Sequence, residues 1–333
     1  MKFEEILTNL KNQKYSPVYF FMGEEPYFMD VLTQYIADHA LEEKDRAFNQ
    51  TIVYGKDTNV HDIITQARKF PMMATHQLVI VKEAQELKNI DDLIYYVEKP
   101  LKSTILVINY KYKKISKQKK LIKAVQKNGI LFESTRLYDN QIPEWIQKLV
   151  KKKGKDIDMK AAVLLSEYLG ANLNKISNEV DKLLLTLPSN DGRITVEHIE
   201  RNIGISKDFN VFELQNVLGA KNSAKAYQII DYFAQNQKEH PITLTIITLF
   251  NFFSKVLIYH TIAQKSQKEV ASILKVPPFF VRDYQRAARN YSKKKLVRII
   301  NALREYDLRS KGVNNRSIPP GELLKELVYV ILH

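Results

Sequence analysis

Five short apolar segments, regularly interleaved with amphipathic helices, constrain the fold of this 333-residue chain more than any other feature. Val18–Met22, Thr51–Tyr54, Leu78–Val81, Ile105–Ile108 and Ile130–Phe132 are aromatic or β-branched in character and carry no charge. A run that is apolar at consecutive positions has no wet side, so each reads as a strand buried on both faces. The intervening segments carry helical period. Phe28, Val31, Leu32, Tyr35 and Ile36 fall on one stripe, and Pro26 suits the first turn, where its missing N–H costs nothing. Further helices are predicted over Val60–Lys69, Ile90–Val97 and Lys117–Lys127. Strand–helix repeats of this kind imply a parallel sheet covered by helices on both sides.

From Gln141 onward strand signals nearly vanish. "PEWIQKLVKKKG" opens on Pro143 and stops at Gly154. "MKAAVLLSEYLG" and "ANLNKISNEVDKLLLTL" repeat the amphipathic pattern, "SNDGR" reads as a turn, and "ITVEHIERNIG" closes a small helical unit near residue 206. The remainder is helical by period, with breaks near Gly219, Pro241, Pro277–Pro278 and Pro319–Gly321. The expected class is therefore α/β followed by all-α. Three regions are expected, over 1–140, 141–207 and 208–333.

Composition narrows the chemistry. The absence of cysteine removes disulfides, thiolate zinc sites and cysteine nucleophiles together, and agrees with a reducing cytoplasm. The N-terminal "MKFEEILTNL" carries two acids and no long apolar run, so no signal peptide is expected. No stretch approaches the ~20 apolar residues of a membrane span either; "LTIITLFNFF" is short and mixed. The seven histidines are scattered, without metal spacing, and no G-x-S-x-G turn occurs. No metal, cofactor or catalytic residue is expected. The 51 basic against 37 acidic residues give +14, which fits an anionic partner or a host whose proteins are generally basic.

"VYFFMGEEPYFMD", Val18 to Asp30, has the strand, glycine and helix of a phosphate-binding loop. Counted from Gly23, however, Phe28 stands in place of the second glycine, Met29 in place of the lysine and Asp30 in place of the magnesium-binding hydroxyl. Glu24 and Glu25 favour the start of a helix and repel a triphosphate. At the end of Leu78–Val81, where such enzymes place an acid that supports magnesium, Lys82 would repel the ion. Asn109 ends the next strand, where a nucleotide-sensing residue or a plain turn residue would stand. Either the sheet lost a nucleotide site or it never had one.

Three stretches in order, "PVYFFMGEEPYFMD", "ARKFPMMATHQLVIVKEAQEL" and "LGANLNKISNEVDKLLL", strongly resemble the delta subunit of the bacterial DNA polymerase III clamp loader. The resemblance implies a RecA-like AAA+ αβα domain with a parallel sheet, a three-helix lid domain and a C-terminal helical collar domain that serves oligomerisation. It implies a non-hydrolysing subunit that binds one face of the sliding clamp (beta) and holds an interface open, so that the ring can be loaded on primed DNA. The implied partners are that clamp, the gamma/tau and delta prime subunits in a hetero-pentamer, and primer–template DNA. The resemblance gives a membrane no part, and it implies a place in the bacterial cytoplasm, at the nucleoid-associated replisome, with DNA-directed DNA polymerase activity belonging to the holoenzyme. By position in the family, Met72 and Met73 match the two apolar residues that grip the clamp, flanked by Phe70 and Pro71. The family example carries leucine and phenylalanine there. Without the resemblance, the two methionines would be read as capping the preceding helix against the sheet.

The lysine runs "KYKKISKQKKLIK", "KLVKKKGK" and "SKKKLVRI" read as solvated helix faces. Arg282, Arg286 and Arg289, at spacings of four and three, share one helix face, with Lys293, Tyr284 and Tyr291 nearby, and could touch a DNA backbone. Competing readings are an active ATPase with an atypical loop, and a helical DNA-binding factor.

Overall fold

Parallel strands cannot be joined by a tight turn, so each crossover must travel across a face of the sheet. The computed structural model, which describes residues 1–187, 192–203, 209–315 and 317–333, shows how this chain does it. It divides into two units, Met1–Leu137 and Tyr138–His333.

The first unit runs α1 (Phe3–Lys11), β1 (Val18–Gly23), α2 (Pro26–His39), α3 (Glu43–Asn49), β2 (Gln50–Tyr54), α4 (Val60–Ala67), β3 (Gln77–Lys82), α5 (Ile94–Val97), β4 (Thr104–Lys111), α6 (Lys120–Asn128) and β5 (Ile130–Ser134). All five strands are parallel, in the order β2-β3-β4-β1-β5. The pleat divides the apolar runs of β1, β3 and β4 between two cores, whereas β2, at the sheet edge, leaves Ile52 and Tyr54 exposed rather than buried on both faces as expected. Val18, Phe20 and Met22 of β1 join Val79, Val81, Leu106 and Ile108 on one face, under α4, α5 and α6. Tyr19 and Phe21 join Leu78, Ile80, Ile105 and Val107 on the other, under α1 and α2.

All five expected strands are present, each extended by a residue or more at one or both ends. Two helices escape the periodicity argument. α1 packs Ile6 and Leu10 against the sheet from outside the strand–helix repeat, and α3 buries only Asn49. The helix expected over Ile90–Val97 is a 3-10 segment, Ile90–Leu93, followed by the single α-turn of α5. The helix expected from Lys117 begins at Lys120, because Lys111–Lys119 is drawn across the strand ends.

The second unit holds α7 (Ile142–Lys152), β6 (Asp156–Ile157), α8 (Met159–Leu169), α9 (Leu173–Thr186), β7 (Arg193–Ile194) and α10 (Val196–Ile203). It continues through α11 (Val211–Gly219), α12 (Ser223–Gln235), α13 (Ile242–Ile262), α14 (Gln267–Leu274), α15 (Val281–Asn290), α16 (Lys293–Ser310) and α17 (Pro320–Leu332). Side-chain caps start many of these helices. Asn172, Asn210 and Asn222 accept from the amides of Lys175, Glu213 and Lys225, and Ser266 forms a capping box with Glu269. The short parallel pair β6–β7 was beyond the reach of periodicity. The predicted "SNDGR" turn, the close of a helical unit near residue 206 and the 207/208 boundary fall wholly or partly outside the described residues.

α13 corrects the expectation that no stretch approaches a membrane span. With 21 residues it is long and apolar enough to cross one by length and composition. Burial explains one side of it: Ile246, Leu249, Phe252, Phe253 and Val256 are buried in the large core built with α11, α12, α15, α16 and α17. The other side carries Leu244, Ile247, Phe250 and Ile258, which are exposed.

Burial therefore sets the response along α13. Phe253 is fully buried and Phe250 is 41% exposed. Phe253→Ala is expected to lower the unfolding free energy by about 3–5 kcal/mol in urea titration, and Phe250→Ala by under about 1 kcal/mol.

Candidate functional site

In open parallel sheets, ligands settle where strands end and helices begin. Here that edge is occupied by the protein's own groups. Gly23 ends β1 with φ +132, so close to β5 that an added Cβ would lie 1.9 Å from the Ser134 carbonyl oxygen. Only glycine fits there. The Gly23 N–H donates to the Lys113 carbonyl at 3.1 Å, and the Glu24 N–H to the Ser134 carbonyl at 3.0 Å. These are amides that a phosphate loop would turn toward phosphate, and they are already bound.

Glu25 caps α2, accepting from the Tyr27 N–H at 3.1 Å, while the Ser134 hydroxyl donates to the Glu25 carbonyl at 2.7 Å. Its carboxyl is buried, and desolvation raises its pKa against the lowering effect of the Tyr27 amide and of Arg136. Met29, at the position of the phosphate-binding lysine, is fully buried in the core beneath α2. Asp30 accepts an ion pair from Lys111 at 2.6 Å. Asn109, also fully buried, exchanges hydrogen bonds with Thr33 of α2 at 2.9 and 3.0 Å. Lys82 ends β3, with its ammonium 5.9 Å from the Tyr54 ring centre on the edge strand.

The lysine run after β4 is not the solvated helix face that charge density suggested. Its first half is a loop laid over the acids. Lys114 pairs with Glu133 at 3.1 Å and with Glu24 at 3.6 Å; Lys117 pairs with Glu133 at 2.7 Å. The acids around the strand ends need counter-charges, and this loop supplies them.

The second place is the loop between α4 and β3. Beyond the helix, Phe70 is 80% exposed, Met72 61% and Met73 98%, while Pro71 is half-buried. None of the three large side chains packs onto the sheet, which removes the reading of the methionines as helix caps. Met73 adopts φ +56, a left-handed conformation costing a non-glycine residue on the order of 1 kcal/mol. Buried amides hold this backbone at two points. Asn49 donates to the Met72 carbonyl at 3.0 Å and accepts from its N–H at 2.6 Å. Gln77 donates to the carbonyls of Gln66, Ala67 and Lys69, closing the end of α4. Neither amide was singled out in the sequence. The only available signal was a polar residue at each border of a strand.

In the second unit, Arg282, Arg286 and Arg289 are exposed on α15, and Lys293 opens α16. Arg286 is engaged by Asp283. Among the described residues, no group of three or more His, Asp or Glu side chains is arranged to hold a metal ion.

The family model described as DNA polymerase III, delta subunit, matches residues 19–135, and that for the C-terminal domain of the delta subunit matches residues 208–319. The DNA polymerase III subunit delta of Bacillus subtilis is 28% identical over 319 residues, 92% of this chain and 91% of its own length. The probable subunit delta of Aquifex aeolicus is 22% identical over 309 residues, 88% of this chain and 86% of its own. The solved structure of the Bacillus subtilis DNA clamp loader delta protein aligns with a TM-score of 0.56 at 26% identity, covering 99% of both chains.

The carboxylate network makes stability depend on pH with a definite sign. Hydrogen bonds from Lys117 and Lys114 lower the Glu133 pKa below its ordinary 4.5. A depressed carboxylate contributes stability above its unfolded value and loses it as pH falls through the folded one. Glu133→Gln is therefore expected to be less stable than the parent at neutral pH. The gap should hold down to that ordinary value, close below it, and shrink with added salt, as followed by thermal melts across pH.

Proposed function

This chain belongs to the DNA polymerase III delta-subunit family, and from that premise we propose that it is the clamp-loader subunit that grips the sliding clamp and holds one interface of the ring open, without hydrolysing ATP itself. One observation carries the reading. Phe70, Met72 and Met73 stand in solvent on a backbone fixed by buried amides. Exposed apolar side chains gain free energy only by being covered, roughly 1.5–3 kcal/mol for each one fully buried. A few such anchors suffice for a protein interface. Methionine suits the task because its thioether adapts to an apolar pocket.

The strand edge supports the second half of the proposal. The Gly23 and Glu24 amides are bound to carbonyls, Met29 is in the core, Asp30 is paired with Lys111, and Lys82 stands where an acid would hold magnesium. ATP chemistry then falls to the gamma/tau subunits of a hetero-pentamer that also contains delta prime, in the bacterial cytoplasm at the replisome. Within the second unit, residues 141–207 form the lid and 208–333 the collar. Arg282, Arg289 and Lys293, which have no acidic partner among the described residues, are the side chains through which the collar would touch primer–template phosphates.

The double variant Met72→Ala, Met73→Ala is expected to weaken binding to the ring clamp of the same organism by about a hundredfold or more, with unchanged circular dichroism and melting temperature. Retained affinity would overturn the grip. Saturable ATP binding with magnesium-dependent turnover by the purified chain would overturn the non-hydrolysing assignment.

A further inference from the structure

α3 is a poor contributor to the core. Of its seven residues, "EKDRAFN", four are charged and only Asn49 is buried. Its one large apolar side chain, Phe48, is 75% exposed. A short, charged helix that leaves its aromatic residue in water is not there to stabilise the sheet.

What α3 does instead is visible at its last residue. The Asn49 side chain is 4% exposed and makes three hydrogen bonds. One goes to the Asp45 carbonyl of its own helix at 3.1 Å. The other two go to the carbonyl and N–H of Met72, at 3.0 and 2.6 Å. A primary amide offers a donor and an acceptor side by side, and here it matches both backbone groups of one residue. The end of α3 is thereby joined to the loop that carries Phe70, Met72 and Met73. Phe48, covalently next to Asn49, is rooted beside that loop.

We propose that α3 is the second half of the same grip. Phe48 is a further apolar anchor on the sliding clamp, and Asn49 is a positioning residue that sets the backbone from which Met72 and Met73 project. The inference rests on the clamp-gripping reading. It assigns the partner a protein surface with an apolar pocket broad enough for an aromatic ring beside two thioethers, rimmed by polar groups. A small ligand does not fit the observation, because such molecules are held in concave sites, whereas Met73 and Phe48 project into solvent, 98% and 75% exposed.

Surface plasmon resonance of the full chain against the immobilised ring clamp tests this. Phe48→Ala, on an exposed side chain, is expected to raise Kd about tenfold with an unchanged melting temperature. Asn49→Ala is expected to weaken binding and, unlike Phe48→Ala, to remove hydrogen-exchange protection from the Met72 amide. Combined with Met73→Ala it should cost less than the two single losses together, since it acts through the same loop. If Phe48→Ala binds like the parent while Met72→Ala, Met73→Ala abolishes binding, the second anchor is overturned and the clamp reading stands. If the double methionine variant binds like the parent, the reading falls and takes this inference with it. If Asn49→Ala loses affinity only in step with its melting temperature, and additively with Met73→Ala, Asn49 is merely structural. Should Asn49→Ala fail to fold, Phe48→Ala alone still decides the anchor.

Discussion

The acids at the end of β1 need counter-charges, and the way they find them governs the rest of the first unit. A helix N-terminus at the edge of a parallel sheet attracts negative charge through its unpaired N–H groups and its dipole. In a nucleotide-binding loop that charge arrives with the ligand. Here Glu24 and Glu25 bring it in the chain, and Glu133 adds to it from β5. Lysines 111, 114 and 117 then neutralise the carboxylates of Asp30, Glu24 and Glu133. With Gly23 pressed against Ser134, the strand end is sealed by backbone as well as by charge. The strand-end amides and the carboxylates of Asp30, Glu24 and Glu133 thus find partners within the chain.

Such a sheet is a fixed platform, and the loop after α4 uses it as one. Gln77 begins β3, the strand next to the edge strand, and its side chain reaches back to the carbonyls at the end of α4 and to Thr104 on β4. Asn49 approaches the same loop from the other side, immediately before β2. Both are neutral amides, which can serve donors and acceptors together without burying a charge. Irregular backbone has no ladder of its own, so it becomes rigid only where side chains take over that task.

The sequence was most informative where one local rule decides the outcome. The strands were legible because uncharged β-branched runs have few alternatives. The departures from the phosphate-loop pattern at Met29 and Asp30 were legible because that pattern assigns a chemistry to each position. Long-range pairing hid the rest. Lysines 111–117 read as a wet helix face because nothing local shows that Glu24 and Glu133, one before α2 and one on β5, converge on them. Asn49 carried no local signal, since its hydrogen bonds go to a loop more than twenty positions away. The stretch "LTIITLFNFF" within α13 reads as short and mixed because threonines and one asparagine interrupt it and Ser254 and Lys255 follow, yet Leu249, Phe252 and Phe253 are buried in the helix.

Magnitudes explain why the proposed grip needs its backbone held in advance. Burying two methionine side chains contributes roughly 3–6 kcal/mol. Immobilising each side chain costs about 0.5–1.5 kcal/mol. Ordering the backbone of a loose four-residue segment, Phe70 to Met73, would cost a further 4–8 kcal/mol at about 1–2 kcal/mol per residue. That last cost alone would cancel the gain. With Asn49 and Gln77 already bonded to the loop and its border, the ordering is met during folding, where the whole sheet supports it. What remains free is side-chain torsion in the thioethers, the part of the cost that lets them adapt to the shape of a pocket. A fixed backbone carrying pliable tips reconciles two demands on an apolar knob: it must be presented in one place, and it must fit a surface it meets only on binding.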